Sequence, residues 1–352
     1  MTDSSCEPQR WLQRSTVLAI SFALLTTACG SGSVSSPGSV SSSSASALSP
    51  SQSPPSQSPP SQSASAQTVS NDSRSPAVSS SPAASVDVAS TKPAALRPPA
   101  LKGVTWLPLP TLTRGLTAGY TSHPGSSTWM LWMNPQLLSF RFIPGTKYPE
   151  HSPVRAVDNQ PATWVPTMVT AFNGAFKLSD HVGGYEYAGH VVVPLKDGLA
   201  SLVIDHHGAL RVLVWGRDSK SATGLLLVRQ NLPPLVDHGV SMTRSTDGLR
   251  TWGRTIHNTR RANRSALGAL PDGSLLYVYG HNVLPSELAA ALVHAGVVTA
   301  IDLDMNSGWP AALTYRHSGA HLKAARLSPY MHQLLNAYYK RIPKEFIAVL
   351  TR

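Results

Sequence analysis

Beyond residue 100, apolar and polar positions alternate in short runs separated by turn residues, the pattern of half-buried β-strands. Thr128–Met133 and Leu137–Ile143 flank an Asn-Pro-Gln turn and predict a hairpin. Met168–Phe172 is a short strand leading into Phe-Asn-Gly-Ala-Phe. A meander is predicted next. Its strands are His190–Leu195, Leu199–Ile204 and Ala209–Trp215, joined by the turns Lys196-Asp197-Gly198 and His206-His207-Gly208. Leu225–Arg229 is a further strand, and Ala266–Ala269 with Leu275–Tyr279 makes a hairpin around Pro-Asp-Gly-Ser.

Two segments read as helices. One runs from Ser286, a favoured N-cap, to Gly296, a favoured stop, with Leu284, Leu288 and Leu292 as its apolar stripe. The other runs from Pro329 to Lys340 behind Ser328. The first leads into an apolar, β-branched strand, Val297–Asp304. Alternation places Ile301, Leu303 and Met305 on one face and Asp302 and Asp304 on the other. Two carboxylates on one face of a core strand need partners, and a polar loop follows them. The predicted fold class is α+β: a mixed, largely antiparallel sheet with a few packed helices. There is no strict βαβ alternation and no Gly-rich phosphate loop.

Composition changes the picture ahead of residue 101. Arg10 and Arg14 precede an apolar run, Ser15–Ala28, which is short for a membrane span and ends Leu-Leu-Thr-Thr-Ala-Cys-Gly. That is the pattern of a lipoprotein signal peptide over 1–28, with Cys29 as the lipidated residue of the mature chain. Residues 29–100 are rich in Ser, Pro and Ala and repeat Ser-Gln-Ser-Pro-Pro, a composition that predicts a disordered linker. The folded domain is then 101–352. These features predict an exported protein, lipid-anchored to the outer face of the cytoplasmic membrane or in the cell envelope. Cys6 and Cys29 are the two cysteines of the chain, so the domain has no cysteine for a disulfide, a thiolate metal site or a nucleophile. The formal net charge is +11, and all but one unit lies beyond residue 100. A basic exported domain suggests an anionic partner such as a phosphate-bearing glycan. The basic residues are scattered without a nucleic-acid-binding motif, so nucleic acid is not expected.

No His-Glu-x-x-His, Gly-x-Ser-x-Gly or Cys/His metal spacing is present. A divalent cation at Asp302 and Asp304 is conceivable, but nothing fixes one, and no cofactor is expected. Three segments carry the candidate chemistry: Thr-Ala-Phe-Asn-Gly-Ala-Phe at 170–176, the stretch from Arg260 to Val278, and the helix and strand ending at Asp304. In order and spacing they resemble the phosphodiester glycosidase family. Asn173, Gly174 and Phe176 match its Asn-Gly-Gly-Phe-Phe element. Arg264, Gly268, Asp272 and Gly273 match its arginine-to-Asp-Gly element. Glu287, Leu288, Ala289, Gly296, Leu303 and Asp304 match its helix and acid-ended strand. Ala175 and Lys177 depart from the first element, and Met305-Asn306-Ser307 replaces a glycine triplet after the acid.

The resemblance implies a hydrolase of sugar phosphodiesters. In it Arg264 would hold the phosphate, Asp304 would act as base or nucleophile, and Asn173 would bind a sugar hydroxyl or orient the acid. Asp302, Gly174 and Asn306 would help bind substrate. The competing reading is a non-catalytic glycan-binding or scaffold protein, with Arg264 and Asp304 as a structural ion pair. In that reading Trp106, Trp129, Trp132, Trp164, Trp215, Trp252 and Trp309 offer sugar-stacking faces.

Overall fold

The computed structural model describes residues 104–123, 126–154, 166–306, 308–319 and 321–352, with Pro98 and Ala100 ahead of them. The expected signal peptide, Cys29, nearly all of the expected linker, Trp164 and Ser307 lie outside the described residues. Eighteen strands are present among the described residues, in three sheets whose strand pairs are all antiparallel. The one α-helix among them is Pro285–His294. The expected α+β class is therefore corrected to a nearly all-β fold.

The largest sheet has eight strands. At its centre, Leu275–Val283 lies between Ser126–Met133 and Ala262–Ala269, and Thr299–Asp302 pairs with the far side of Ala262–Ala269. Both faces of this centre are buried. Leu131, Met133, Tyr277 and Ile301 face the main core, while Met130, Trp132, Val278 and Ala300 face a second core under the helix. Leu288, Ala289, Ala291 and Leu292 supply the helix's side of that contact. A five-stranded sheet closes the main core from the other side, with Met168–Asn173 between Ala312–Ser318 and Phe346–Thr351. Another five-stranded sheet, centred on Leu225–Gln230, adds Leu202, Ile204 and Leu227 to the same core.

Several expected elements are rearranged. Leu138–Ile143 does not pair with Ser126–Met133; it pairs with Phe346–Thr351 in the other sheet. Likewise His190–Val193 pairs with Tyr185–Tyr187, so only the last two strands of the expected meander are neighbours. The second predicted helix is absent. Residues 329–340 form turns with one 3₁₀ turn at Ala337–Tyr339. Met331 and Tyr338 are buried but Leu334 and Leu335 are exposed, so the apolar residues there do not share one buried face, and helix packing has nothing to act on. In the helix that does form, Pro285 takes the first position, where its fixed φ fits and its missing N–H costs nothing. Ser286 is thereby displaced from the cap. Leu284 takes that place, and Glu287 Oε2 accepts its N–H at 3.0 Å.

Candidate active site

The strand Met168–Asn173 delivers Asn173 to the junction of the two sheets. Its amide is fully used. Asn173 Nδ2 donates to Ser265 Oγ at 2.9 Å and to the Asp304 carbonyl at 3.3 Å. Its Oδ1 accepts from Tyr277 Oη at 2.8 Å and from Ala311 N at 3.1 Å. With Asn173 4% exposed, these bonds tie the arginine strand, the acid turn and the start of the next strand together. Gly174 follows because nothing larger fits: a Cβ there would lie 2.5 Å from Glu345 Cγ.

Alternation does not carry through to Asp304, because the strand stops at Asp302. Leu303 N still donates to Ser265 O at 2.8 Å, but Asp304 N turns to Gly174 O at 2.9 Å. The chain thus leaves one sheet for the other between the two acids, and their surroundings differ. Asp304 borders a cavity of about 610 Å³. Its Oδ2 accepts from Lys344 Nζ at 2.5 Å, and its Oδ1 from Met305 N at 2.9 Å. Burial raises the Asp304 carboxyl above the usual carboxylate range, and Lys344 opposes that shift. Lys344 Nζ also lies 5.0 Å from the ring centres of both Tyr148 and Trp309, held between two aromatic faces. Lys177, Arg250 and Arg254 add positive charge to the cavity lining, against Asp180 and Asp304.

Asp302 is 1% exposed, and neither of its carboxylate oxygens has a hydrogen-bond partner. Burial pushes its carboxyl up to about 7, with Arg264 pulling the other way and Asp304 adding to the rise. It is sealed from the cavity rather than lining it. Arg264 is also buried. Its Nη1 donates to the Trp252 carbonyl at 2.6 Å and touches Met305 Sδ at 3.6 Å, and among the described residues no carboxylate lies within ion-pair distance of it. The structure therefore brings Asn173 and Asp304 together, and gives Asp304 to Lys344 instead of Arg264. Asn306 borders the cavity at a φ of 80°, a conformation that Asn tolerates, where glycine would serve by lacking a side chain. Its side chain bonds Ile256 N and the Arg254 carbonyl, fixing the basic wall to the acid turn. Gly253 makes room for Met305, because a Cβ there would sit 2.5 Å from its sulfur.

Lys344 and Glu345 were not singled out by sequence. Glu345 is 2% exposed; it accepts from Ala175 N at 2.7 Å and from Arg229 Nε at 3.1 Å. Arg229 also donates to the Phe176 carbonyl, so this buried pair fixes the chain just after Gly174. The available signal was a Lys-Glu pair abutting the apolar run Phe346–Leu350, where charge at a strand end must find partners. Of the tryptophans, Trp129, Trp132, Trp215 and Trp252 are core residues and Trp106 is remote on an edge strand; Trp309 alone among those described borders this cavity. Among the described residues no three His, Cys, Asp or Glu cluster at metal-holding distances, and no helix is long and apolar enough to cross a membrane.

No protein-family model matches the chain, and no curated protein matches it. Solved structures do. The auto-inhibited catalytic domain of zebrafish N-acetylglucosamine-1-phosphodiester alpha-N-acetylglucosaminidase is 16% identical, with a TM-score of 0.42 over 68% of this chain and 85% of that one. A hypothetical protein from Synechocystis is 14% identical, with a TM-score of 0.39 over 71% of this chain and 64% of that one.

Proposed function

We propose that the cavity beside Asp304 hydrolyses a sugar phosphodiester or a related anionic envelope glycan, in an exported protein anchored through Cys29. The observation that carries this reading is the pairing of one buried carboxylate with a basic, aromatic-edged cavity. Asp304 opens onto it, while Lys177, Arg250 and Arg254 supply the cations. In a sugar-1-phosphodiester the leaving group is a phosphate, a weak base that departs with little protonation. Such a reaction needs cations where the phosphate sits and a carboxylate where positive charge grows at the anomeric carbon. Lys344 holds Asp304 towards its ionised form against the pull of burial. Asn173 and Ser265 fix the acid's main chain through its carbonyl, so its position is set by a satisfied network. Arg264 acts at one remove, packing under Met305.

A second reading draws on one observation: both carboxylate oxygens of Asp304 already have donors. That arrangement also suits a binding site whose acid anchors Lys344. The two readings separate on one comparison. Purified full chain in detergent is given an aryl sugar-1-phosphodiester, alongside its Asp304→Asn variant, and both turnover and binding are measured. The hydrolase reading expects turnover to fall by roughly 10²–10⁴-fold with binding kept. Binding without turnover by the unaltered chain leaves the glycan-binding reading in place of the hydrolase.

A further inference from the structure

A second, smaller cavity of about 50 Å³ lies next to the first. The two are parted by the contact of Arg264 Nη1 with Met305 Sδ. Some 10–15 Å³ of such space holds one water, so this one has room for about three to five waters, the scale of an oxyanion and not of a sugar ring. Three arginines, Arg244, Arg260 and Arg264, line it, together with the start of the helix at Pro285 and Ser286. Pro285 has no N–H and Glu287 N donates to Leu284 O at 3.2 Å, so the turn offers the Ser286 amide at the positive end of the helix dipole.

Asp302 attracts Arg264 from beyond hydrogen-bond reach, and Asp247 attracts Arg244 and Arg260; the two acids at the rim, Asp247 and Glu287, are already engaged. Asp247 Oδ2 accepts from Arg244 N at 2.7 Å and from Trp252 Nε1 at 2.6 Å. Glu287 is paired with Arg261 at 2.6 Å and caps Leu284 N. Arg264 is 2% exposed, its Nε has no acceptor, and its other bonds go to main-chain carbonyls and a thioether. A buried guanidinium that no carboxylate bonds directly is costly to maintain, and an anion supplied from outside would offset that cost.

We propose that this second cavity binds one tetrahedral oxyanion of the phosphate class, either free phosphate or a phosphate group of a glycan. Arg244 and Arg260, both exposed, grip it from the solvent side through forked, charge-assisted hydrogen bonds, and Arg264 completes the site from beneath. The site does not depend on Asp304 reacting. A polymer carrying repeated phosphates would place one group here and present another to the larger cavity.

The test titrates the full chain in detergent calorimetrically with inorganic phosphate, then with poly(glycerol phosphate). The comparison is the double variant Arg244→Gln/Arg260→Gln, which alters two exposed side chains. The variant is expected to lose one equivalent of bound phosphate, or to bind at least tenfold more weakly, with its thermal midpoint in phosphate-free buffer kept. If the polymer binds more tightly per phosphate than the free ion, the glycan is the source; equal binding assigns the site to free phosphate. Unchanged stoichiometry and affinity in the double variant overturn the proposal. So does a loss matched by Arg250→Gln/Arg254→Gln alone, which places all phosphate binding in the larger cavity. Failure of turnover, by contrast, touches only the reading of Asp304.

Discussion

Asp302→Asn is expected to stabilise the protein, and to do so only above acid pH. The carboxyl is 1% exposed, accepts no hydrogen bond, and is pushed up to about 7. An unfolded chain would titrate it near 3.9. Because the folded value is the higher one, the folded state holds a proton that the unfolded state releases between about pH 4 and pH 7. Stability contributed by this group therefore falls as pH rises through that window and is flat above it. At pH 8 the ionised carboxylate costs about three pKa units, up to about 4 kcal/mol, a penalty that a neutral side chain of the same shape avoids. For a domain of this size, about 2–4 °C accompanies each kcal/mol, so the thermal midpoint should rise by up to about 8–16 °C at pH 8. At pH 5 the folded carboxyl is mostly protonated while the unfolded one is mostly ionised, so the gap should shrink to about 1.5 kcal/mol. Thermal melts of both proteins at the two pH values decide the matter. A variant less stable than wild type at pH 8, or a gap independent of pH, refutes the reasoning. Either result would mean that Asp302 is ionised and held by Arg264.

Gly174→Ala should destabilise by about 1–3 kcal/mol in urea unfolding, since the new methyl group meets Glu345 Cγ at 2.5 Å. Glu345→Gln removes the carboxylate that satisfies buried Arg229 and should cost about 3–5 kcal/mol in the same assay, with a second structural effect on the turn at Ala175. Lys344→Met takes away the cation that opposes burial at Asp304, so the carboxyl should rise further and the acid-side limb of the pH–rate profile should move to higher pH. An unmoved limb after Lys344→Met would show that the titrating group is not Asp304.

What the chain revealed in advance was local. The helix Pro285–His294 was legible because its leucine stripe and Gly296 lie within a dozen residues, and the Asp272-Gly273 hairpin because the turn specifies its own neighbours. Asn173, Gly174 and Asp304 were legible as a group through a motif resemblance, and the structure does bring them into one network. Pairing over long separations was not legible. Nothing in Leu138–Ile143 says that its partner is Phe346–Thr351, and so nothing pointed to Lys344 as the partner of Asp304. Alternation alone treats the two acids alike, and the preference for Asp304 came from the motif resemblance. They differ because the main chain changes partners between them, from Ser265 to Gly174, which seals one acid inside and opens the other to a cavity. The second predicted helix failed for a related reason: composition allowed it, but no common surface exists to bury its apolar residues.

The most direct test of the central claim is which bond breaks. Turnover of an aryl sugar-1-phosphodiester by the full chain in ¹⁸O-labelled water should place the label on the anomeric carbon of the released sugar. That is the outcome if Asp304 supports attack at carbon with phosphate as leaving group. Label found in the phosphate, or no release of either product, contradicts the account.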